Sequence, residues 1–436
     1  MNSTRIRRVL LAGVGVAALA VPLAACGSSG GNADGKVEIT FLTGNTGTNV
    51  EVAEALIAAF EKENPDISVK LETQPAGTEG DNLIKTKLST GEMSDVFYYN
   101  SGSLFQALNP DQNLVALDDQ PWVDDLIDTM KDVVSTDKGI YGAPFGATQA
   151  GAIVYNKKIY ADLGLQIPTT WDEFAANNEK IKAAGITPVI QTYGDTWTSQ
   201  LFVLGDFGNV LAQDADWASD YTAGERKYVD EPALQGFENQ QEGFDAGWWN
   251  EDYASAVYDD GARMVATGEG AHYPILTGIV STFQQNYPDE LDNIGVFALP
   301  AKKADDTKLT VWLPNAVYIP RTTEGDKLEA AKTFVAFINS PGGCEIQTTV
   351  MVPSGPFATS ACALPDDVPG LLTDMQPYFD EGNTNPALEF LSPIKGPNLE
   401  NITVEVGSGI RSAKDGAALY DEDVKKQAQQ LGLDGW

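Results

Sequence analysis

The chain is poor in the residues from which most catalytic and metal sites are built. Its 436 residues contain one histidine, His272, and three cysteines. A single histidine excludes an H-E-x-x-H zinc site and any multi-histidine metal centre, so no metal site is expected. It leaves one conceivable Ser-His-Asp triad, but no G-x-S-x-G elbow between a strand-like and a helix-like segment accompanies it. No G-x-x-x-x-G-K-[ST] phosphate loop occurs, and no G-x-G-x-x-G follows a strand-like segment. Calcium loops of the D-x-[DN]-x-[DN]-G type are also missing. No cofactor is expected. Positive charge is scarce as well: 28 Lys and Arg stand against 62 Asp and Glu, a formal net charge of −34. Such a body repels a phosphate backbone, which excludes nucleic acid as a partner. The abundant carboxylates leave a two-acid glycosidase open by counting alone, although solvated surface acids are the commoner reading.

Long apolar runs are missing too. The longest opens the chain, from Val9 to Val21, behind Arg5, Arg7 and Arg8. It is shorter than the ~20 residues that span a bilayer core, and it reads as a removable export signal over residues 1–25. Leu23-Ala24-Ala25-Cys26 closes it. This tetrad resembles the lipobox of bacterial lipoproteins, which implies lipidation at Cys26. Residues 26–36 are rich in glycine and serine and read as a flexible tether. Acyl chains would then hold the body at the outer face of the cell membrane without a spanning helix. Loss of residues 1–25 removes three Arg and no acid, which moves the charge from −34 to −37. An anionic lipid surface repels that charge, so attachment falls to the lipid. Two cysteines, Cys344 and Cys362, are left over, and exported proteins usually pair such a remainder. Two buried free thiols are the less common alternative.

About 400 residues exceed one simple core, so two domains are expected. Strand-like and helix-like segments alternate. Val37–Leu42, Ile67–Leu71 and Asp95–Tyr99 read as strands, and Glu51–Lys62 and Asn82–Thr90 as helices between them. That order predicts a parallel sheet whose ligands lie at the carboxyl ends of its strands. Asn45, Thr46, Tyr99, Asn100 and Ser101 then share one rim. Further along, Thr170 and Glu173 form a capping box ahead of a helix, and Leu328–Ile338 and Ala413–Leu431 are amphipathic. Trp197, Trp248, Trp249, Tyr273 and Trp312 fall at or near element ends beside Gly, Asn, Asp or Pro. Aromatic faces among amides and carboxylates suit a sugar or another polar small molecule, whereas any one of them alone could serve the core.

Several segments together carry a resemblance. They are Phe60-Glu61-Lys62-Glu63-Asn64-Pro65-Asp66-Ile67, Tyr141-Gly142-Ala143-Pro144-Phe145, Val154-Tyr155-Asn156-Lys157 and Pro168-Thr169-Thr170-Trp171-Asp172-Glu173-Phe174. Ser94-Asp95-Val96, Gly295-Val296-Phe297-Ala298-Leu299-Pro300 and Phe337-Ile338-Asn339-Ser340-Pro341 complete the set. In this order they resemble the maltodextrin-binding-protein-like receptors of bacterial ABC sugar importers.

The resemblance implies two α/β lobes, each a mainly parallel sheet flanked by helices, that close on a ligand. It places the first lobe in residues 37–145 and 299–342 and the second in 146–298 and 343–436. The chain would cross between lobes near Ala143–Gly146, Val296–Pro300 and Pro341–Glu345. Relatives place a sugar-stacking aromatic where Trp197 stands. Tyr273 would be a second, and Trp312 and Asn315 replace the glycines usual in a first-lobe loop, which favours a short ligand. The implied partners are a carbohydrate and the permease subunits of the importer, with the receptor itself a monomer. The mechanism would be binding and not catalysis. A polyamine receptor is the main rival, because Asp195, Glu251, Asp252, Asp259 and Asp260 could hold a cation. An anchored glycosidase or a structural adhesin would also fit an exported, tethered body.

Overall fold

The computed structural model describes residues 35–45, 47–75, 77–366 and 368–436. The export signal, Cys26, most of the tether, and Thr46 lie outside these residues. Strands run in chain order as β1 Val37–Gly44, β2 Ile67–Gln74 and β3 Val96–Tyr99, then a small ribbon of β4 Ser135–Thr136 and β5 Gly139–Ile140. They continue as β6 Gly142–Phe145, β7 Gln149–Asn156, β8 Thr187–Val189, β9 Gly270–Leu276 and β10 Ile294–Phe297. The last are β11 Leu309–Trp312, β12 Asn315–Tyr318 and β13 Thr384–Pro386. The first sheet has the order β2-β1-β3-β12-β6 and the second β13-β11-β7-β9-β8, with β10 also paired to β7.

Local sequence explains the first sheet. Alternation in β1 buries Ile39 and Phe41. The following helix, Gly47–Glu63, buries Val52, Leu56 and Phe60 at helical spacing. Asn64 ends it by donating its side-chain amide to the Phe60 carbonyl at 3.0 Å. Phe60 and Phe41 then meet Phe334 of the helix Asp326–Ile338, with centroids 5.0 and 5.4 Å apart, so this late helix closes the first lobe. β1 is parallel to both β2 and β3, whereas β12 is antiparallel to β3 and β6.

The second sheet is built around β7, which is antiparallel to β9, β10 and β11. Parallel pairing survives only between β8 and β9 and between β11 and β13. Both sheets are therefore mixed. In the first sheet the reversed strand is β12, which enters after the chain returns from the second sheet. Thr170 and Glu173 make the expected capping box at the start of Trp171–Ala183. A helical layer is formed by residues 203–237 and 388–428, in which Trp217 stacks on Tyr221 at 4.8 Å.

The exchanges fix the cleft. The chain leaves the first sheet after Phe145 and enters the second at Gln149, turning at Gly146, whose φ of 97° is a conformation open to glycine. It returns through Leu313-Pro314, between β11 and β12. That return was expected at Val296–Pro300, but β11 first runs beside β7 in the second sheet. The third passage also lies later than Pro341–Glu345. Ser340 caps a new helix, Pro341–Val350, that packs against Gly47–Glu63 of the first lobe. The chain departs only after Met351. Cys344 and Cys362 are joined in a disulfide with Cα atoms 5.8 Å apart, which closes a loop around this passage. Thr148 and Ser354 lace the first and third passages: Thr148 Oγ1 donates to the Pro356 carbonyl at 2.7 Å and Ser354 Oγ to the Thr148 carbonyl at 2.8 Å.

Candidate ligand cleft

Two adjoining cavities lie where the sheets face each other. The smaller, of about 160 Å³, sits at the carboxyl ends of β1, β2 and β3. Gly44, Asn49, Gln74, Asp81, Tyr99 and Asn100 are among its walls. The larger, of about 260 Å³, is bounded by Phe145–Ala147, Leu313-Pro314 and Met351–Ser354, which are segments of all three passages. The second lobe contributes Gln149, Gly278 and Ser281 to it. Asn49, Tyr98 and Asn315 border both spaces. Among the described residues, Asp81 is the one charged side chain in the walls of either.

Several expected residues meet here. Tyr99 and Asn100 end β3 as the strand order implied, and Asn315 opens β12 opposite them. The Asn315 amide donates to the Tyr98 hydroxyl. Burial pushes the ionisation of Tyr98 upward, against hydrogen bonds from Asn315 and Asn49. Burial also raises Tyr99, and the Asp81 carboxylate facing its hydroxyl raises it further. Both phenols therefore stay neutral at ordinary pH. Asn45 is exposed just after β1, with its backbone N–H donated to the Gln74 carbonyl at 2.8 Å.

Others do not join the cleft. Ser101 is buried and donates its hydroxyl to the Pro314 carbonyl at 2.9 Å, a tie that holds the second passage. Trp248 is core: it is 1 % exposed, and its indole N–H donates to Glu179 Oε1 at 2.8 Å. Trp249 packs on Phe202 and donates to the Gly407 carbonyl at 2.8 Å. Tyr273 is 1 % exposed, and its hydroxyl is shared with Thr192 at 2.8 Å. Trp312 belongs to the second sheet and not to a first-lobe loop. It covers Gly151, where a Cβ would come within 2.5 Å of the indole, and donates to Glu389 Oε1 at 2.9 Å. Tertiary packing claimed these rings because each could bury its face and satisfy its polar atom at once.

Trp197 is different. It is 37 % exposed and stacks obliquely on Tyr258 at 5.7 Å. Tyr258 is held by Thr282, the neighbour of Ser281 in the cavity wall. Neither ring is among the walls of the two cavities. His272 is buried between Tyr160 at 2.8 Å and the Asn178 side chain at 2.9 Å. Burial lowers its pKa to about 3, so it is a neutral core residue with no serine in reach among these partners. Residues that the sequence reading passed over include Asn49, Gln74, Asp81, Tyr98 and Gln149. Gln74 was within reach: the strand-end rule that selected Tyr99 applies equally to the last residue of β2.

A two-lobed α/β fold with a polar, nearly uncharged cleft at the chain exchanges defines a class of ligand-binding protein. The family model of bacterial extracellular solute-binding proteins matches residues 45–343, more than half of the chain, and the chain belongs to that family. Over 195 residues it is 30% identical to the multiple sugar-binding protein of Streptococcus mutans, covering 44% of this chain and 45% of that one. Over 298 residues it is 26% identical to an ABC transporter extracellular-binding protein of Pyrococcus horikoshii, covering 66% of each. The chain thus spans about half to two thirds of the length of these relatives. Its fold is similar to that of a binding protein of Bacillus subtilis in an open conformation, with a TM-score of 0.76 at 18% identity over 92% of this chain and 99% of that one. The apo form of RafE from Streptococcus pneumoniae gives 0.75 at 20% identity over 91% of this chain and 98% of that one. RafE in complex with raffinose gives 0.71 at 20% identity over 91% and 100%.

Proposed function

We propose that the chain is the receptor of an ABC importer, which captures a di- or short oligosaccharide between its lobes and presents it to the permease. The observation that carries this reading is the cleft itself. Among the described residues its polar walls are amides and hydroxyls with a single carboxylate, Asp81, and they alternate with apolar groups that include Phe145, Leu313, Met351 and Val352. Amide and hydroxyl groups can exchange hydrogen bonds with sugar hydroxyls, and an aromatic face can cover the apolar side of a ring. Relatives that bind multiple sugars or raffinose support the same ligand class. In this reading the first lobe comprises residues 37–145 and 315–350, and the second 149–312 and 352–436. Ligand bridging both lobes supplies the differential affinity that favours the closed state. No reaction is assigned to the cleft, and the receptor acts as a monomer.

Cys26 is proposed as the lipid attachment point. No helix among the described residues is long and apolar enough to cross a membrane, which fits a body held by acyl chains. Cys26→Ala should release the protein to the medium with its ligand affinity intact, and retention at the membrane would refute the anchor. The ligand class is tested by thermal-shift screening against neutral mono- and oligosaccharides alongside putrescine and spermidine. A sugar should raise the melting temperature. A shift with polyamines alone would replace the carbohydrate reading with its rival.

A further inference from the structure

We propose that Cys344–Cys362 is an exchangeable disulfide: a small uncharged or cationic thiol opens it through a cavity outside the ligand cleft, and opening it loosens the cleft wall and weakens ligand binding. The last step rests on the receptor reading above. Cys344 stands in the first turn of the helix Pro341–Val350, which packs on the first lobe. Between the two cysteines the chain reaches to the second lobe and comes back. At its far point the Ser354 carbonyl accepts from Thr277 Oγ1 at 2.7 Å, and Gly355 lies against Met375 of the second-lobe helix Gly370–Asp380. On the way back the Ala358 carbonyl accepts from the Ile127 N–H at 3.2 Å, and the Ser360 N–H donates to the Asp125 carbonyl at 2.7 Å. Both partners belong to the first lobe. Met351, Val352 and Ser354, inside this closed loop, border the larger ligand cavity. The disulfide thus fastens to the first lobe both ends of a loop whose tip is cleft wall and second-lobe contact. A covalent closure removes freedom that ligand binding otherwise has to remove.

Access to the bond is one-sided. Cys362, 9% exposed, borders a separate cavity of about 660 Å³ that shares no wall residue with the two ligand cavities. Cys344, 3% exposed, is not among its walls. Ile127 and Asp128 of the first lobe and Phe379 and Asp380 of the second line the same space. A thiolate that enters attacks Cys362 Sγ, the Sγ–Sγ bond breaks, and Cys344 leaves as a thiolate that takes a proton from water. The positive end of its helix favours that departing charge. A second thiol then displaces Cys362 from the mixed disulfide. Two small thiols are oxidised to their disulfide while the protein disulfide is reduced to two thiols, so electrons and protons balance. Among the described residues, Asp128 and Asp380 are the charged walls. Lys131 offsets Asp128 at 4.0 Å, whereas Asp380 accepts from the neutral Gln376 amide at 2.8 Å. With a formal net charge of −34 on the chain, the entrance repels an anionic thiol.

The test uses the whole protein, Asp380→Asn, and the double variant Cys344→Ser/Cys362→Ser. Cysteamine, 2-mercaptoethanol and 3-mercaptopropionate serve as thiols of similar size and different charge. Each rate of opening under native conditions is divided by the rate with an uncharged linear disulfide, which removes intrinsic reactivity. The anionic thiol should be about threefold slower than the neutral one and the cationic thiol faster, and Asp380→Asn or about 1 M salt should shrink the spread. The first mixed disulfide, trapped and mapped by mass spectrometry, should sit on Cys362. Hydrogen exchange at residues 346–361 should quicken in the reduced parent and in the double variant, with the helix Gly47–Glu63 unaltered. Whichever of raffinose, stachyose and maltotriose binds the oxidised protein should bind the reduced one about tenfold more weakly by calorimetry. If the double variant does not fold, the thiol-reduced parent gives both readings. Opening only as fast as global unfolding, or a first adduct on Cys344, would overturn the exchange site. Equal rates for the three thiols would overturn the charge selection. Unaltered hydrogen exchange, or equal Kd in the two redox states, would overturn the link to the cleft. If none of the sugars binds, the carbohydrate reading falls, and the thiol rates and hydrogen exchange still decide this inference.

Discussion

The rim of the first lobe and the aromatic interior of the second lobe hold similar residue types in different surroundings, the rim against a cavity and the interior in a closed core. On the rim, Thr43 and Gln74 are buried with an oxygen unpaired. In the second lobe, Trp248, Trp249 and Tyr273 are buried or half-buried with every polar side-chain atom in a hydrogen bond. An aromatic ring with its polar atom satisfied has finished its work on folding. Satisfaction is not uniform in that interior, where Trp217 Nε1, Tyr221 OH and Tyr228 OH are buried without a partner too, so a neighbouring cavity, and not an unpaired atom by itself, separates the rim from the core.

Three substitutions sharpen that contrast. The largest effect is expected for Trp248→Ala, which empties a core position packed against Trp171 and Phe174. It should destabilise the fold by ~3–5 kcal/mol in denaturant titration. The protein that remains folded should bind sugar as the parent does, and a selective loss of affinity would return Trp248 to the ligand site.

The next concerns Asp206, which is buried and bonded to Asn209 at 2.7 Å. Burial raises its pKa to about 8, well above the ~3.9 of an unfolded aspartate. The folded state therefore holds a proton that the unfolded state gives up. The stability linked to this proton is complete below about pH 4 and is lost as pH rises through about 8. Asp206→Asn should flatten this dependence and raise the melting temperature relative to the parent at pH 8.5. An unchanged difference between pH 5 and pH 8.5 would place the proton elsewhere.

Trp197→Ala is expected to have the smallest effect on the fold, because the ring is exposed. It should weaken sugar binding about tenfold, worth ~1.4 kcal/mol, with an unaltered melting temperature in the absence of ligand. Calorimetry showing equal affinity would remove Trp197 from the ligand site and leave recognition to the first-lobe rim.

Much of this was legible in the chain. Alternation in β1, the helical spacing of Val52, Leu56 and Phe60, and the Thr170–Glu173 capping box are local patterns, and local patterns survive folding. The strand-end rule put Tyr99 and Asn100 on a rim that borders a cavity, because it depends only on the order of elements. The aromatic residues misled for a physical reason. Proximity to a predicted loop says where a ring begins and not which way it points. Trp248 and Tyr273 turn inward because Glu179 and Thr192, distant in sequence, offer partners there. Trp312 was assigned to a first-lobe loop because β11 is short and its pairing with β7 is a contact across more than a hundred residues of chain.

The sequence alone determined the class: an acidic α/β chain with one histidine, a removable-looking leader and family motifs in order. Those features depend on composition and neighbour patterns, which exist before folding. Only the tertiary structure decided where the chain changes sheets, which rings are core, and which oxygens remain unpaired. Each of these depends on contacts between residues far apart in the chain, and such contacts exist only once the two sheets have formed and met.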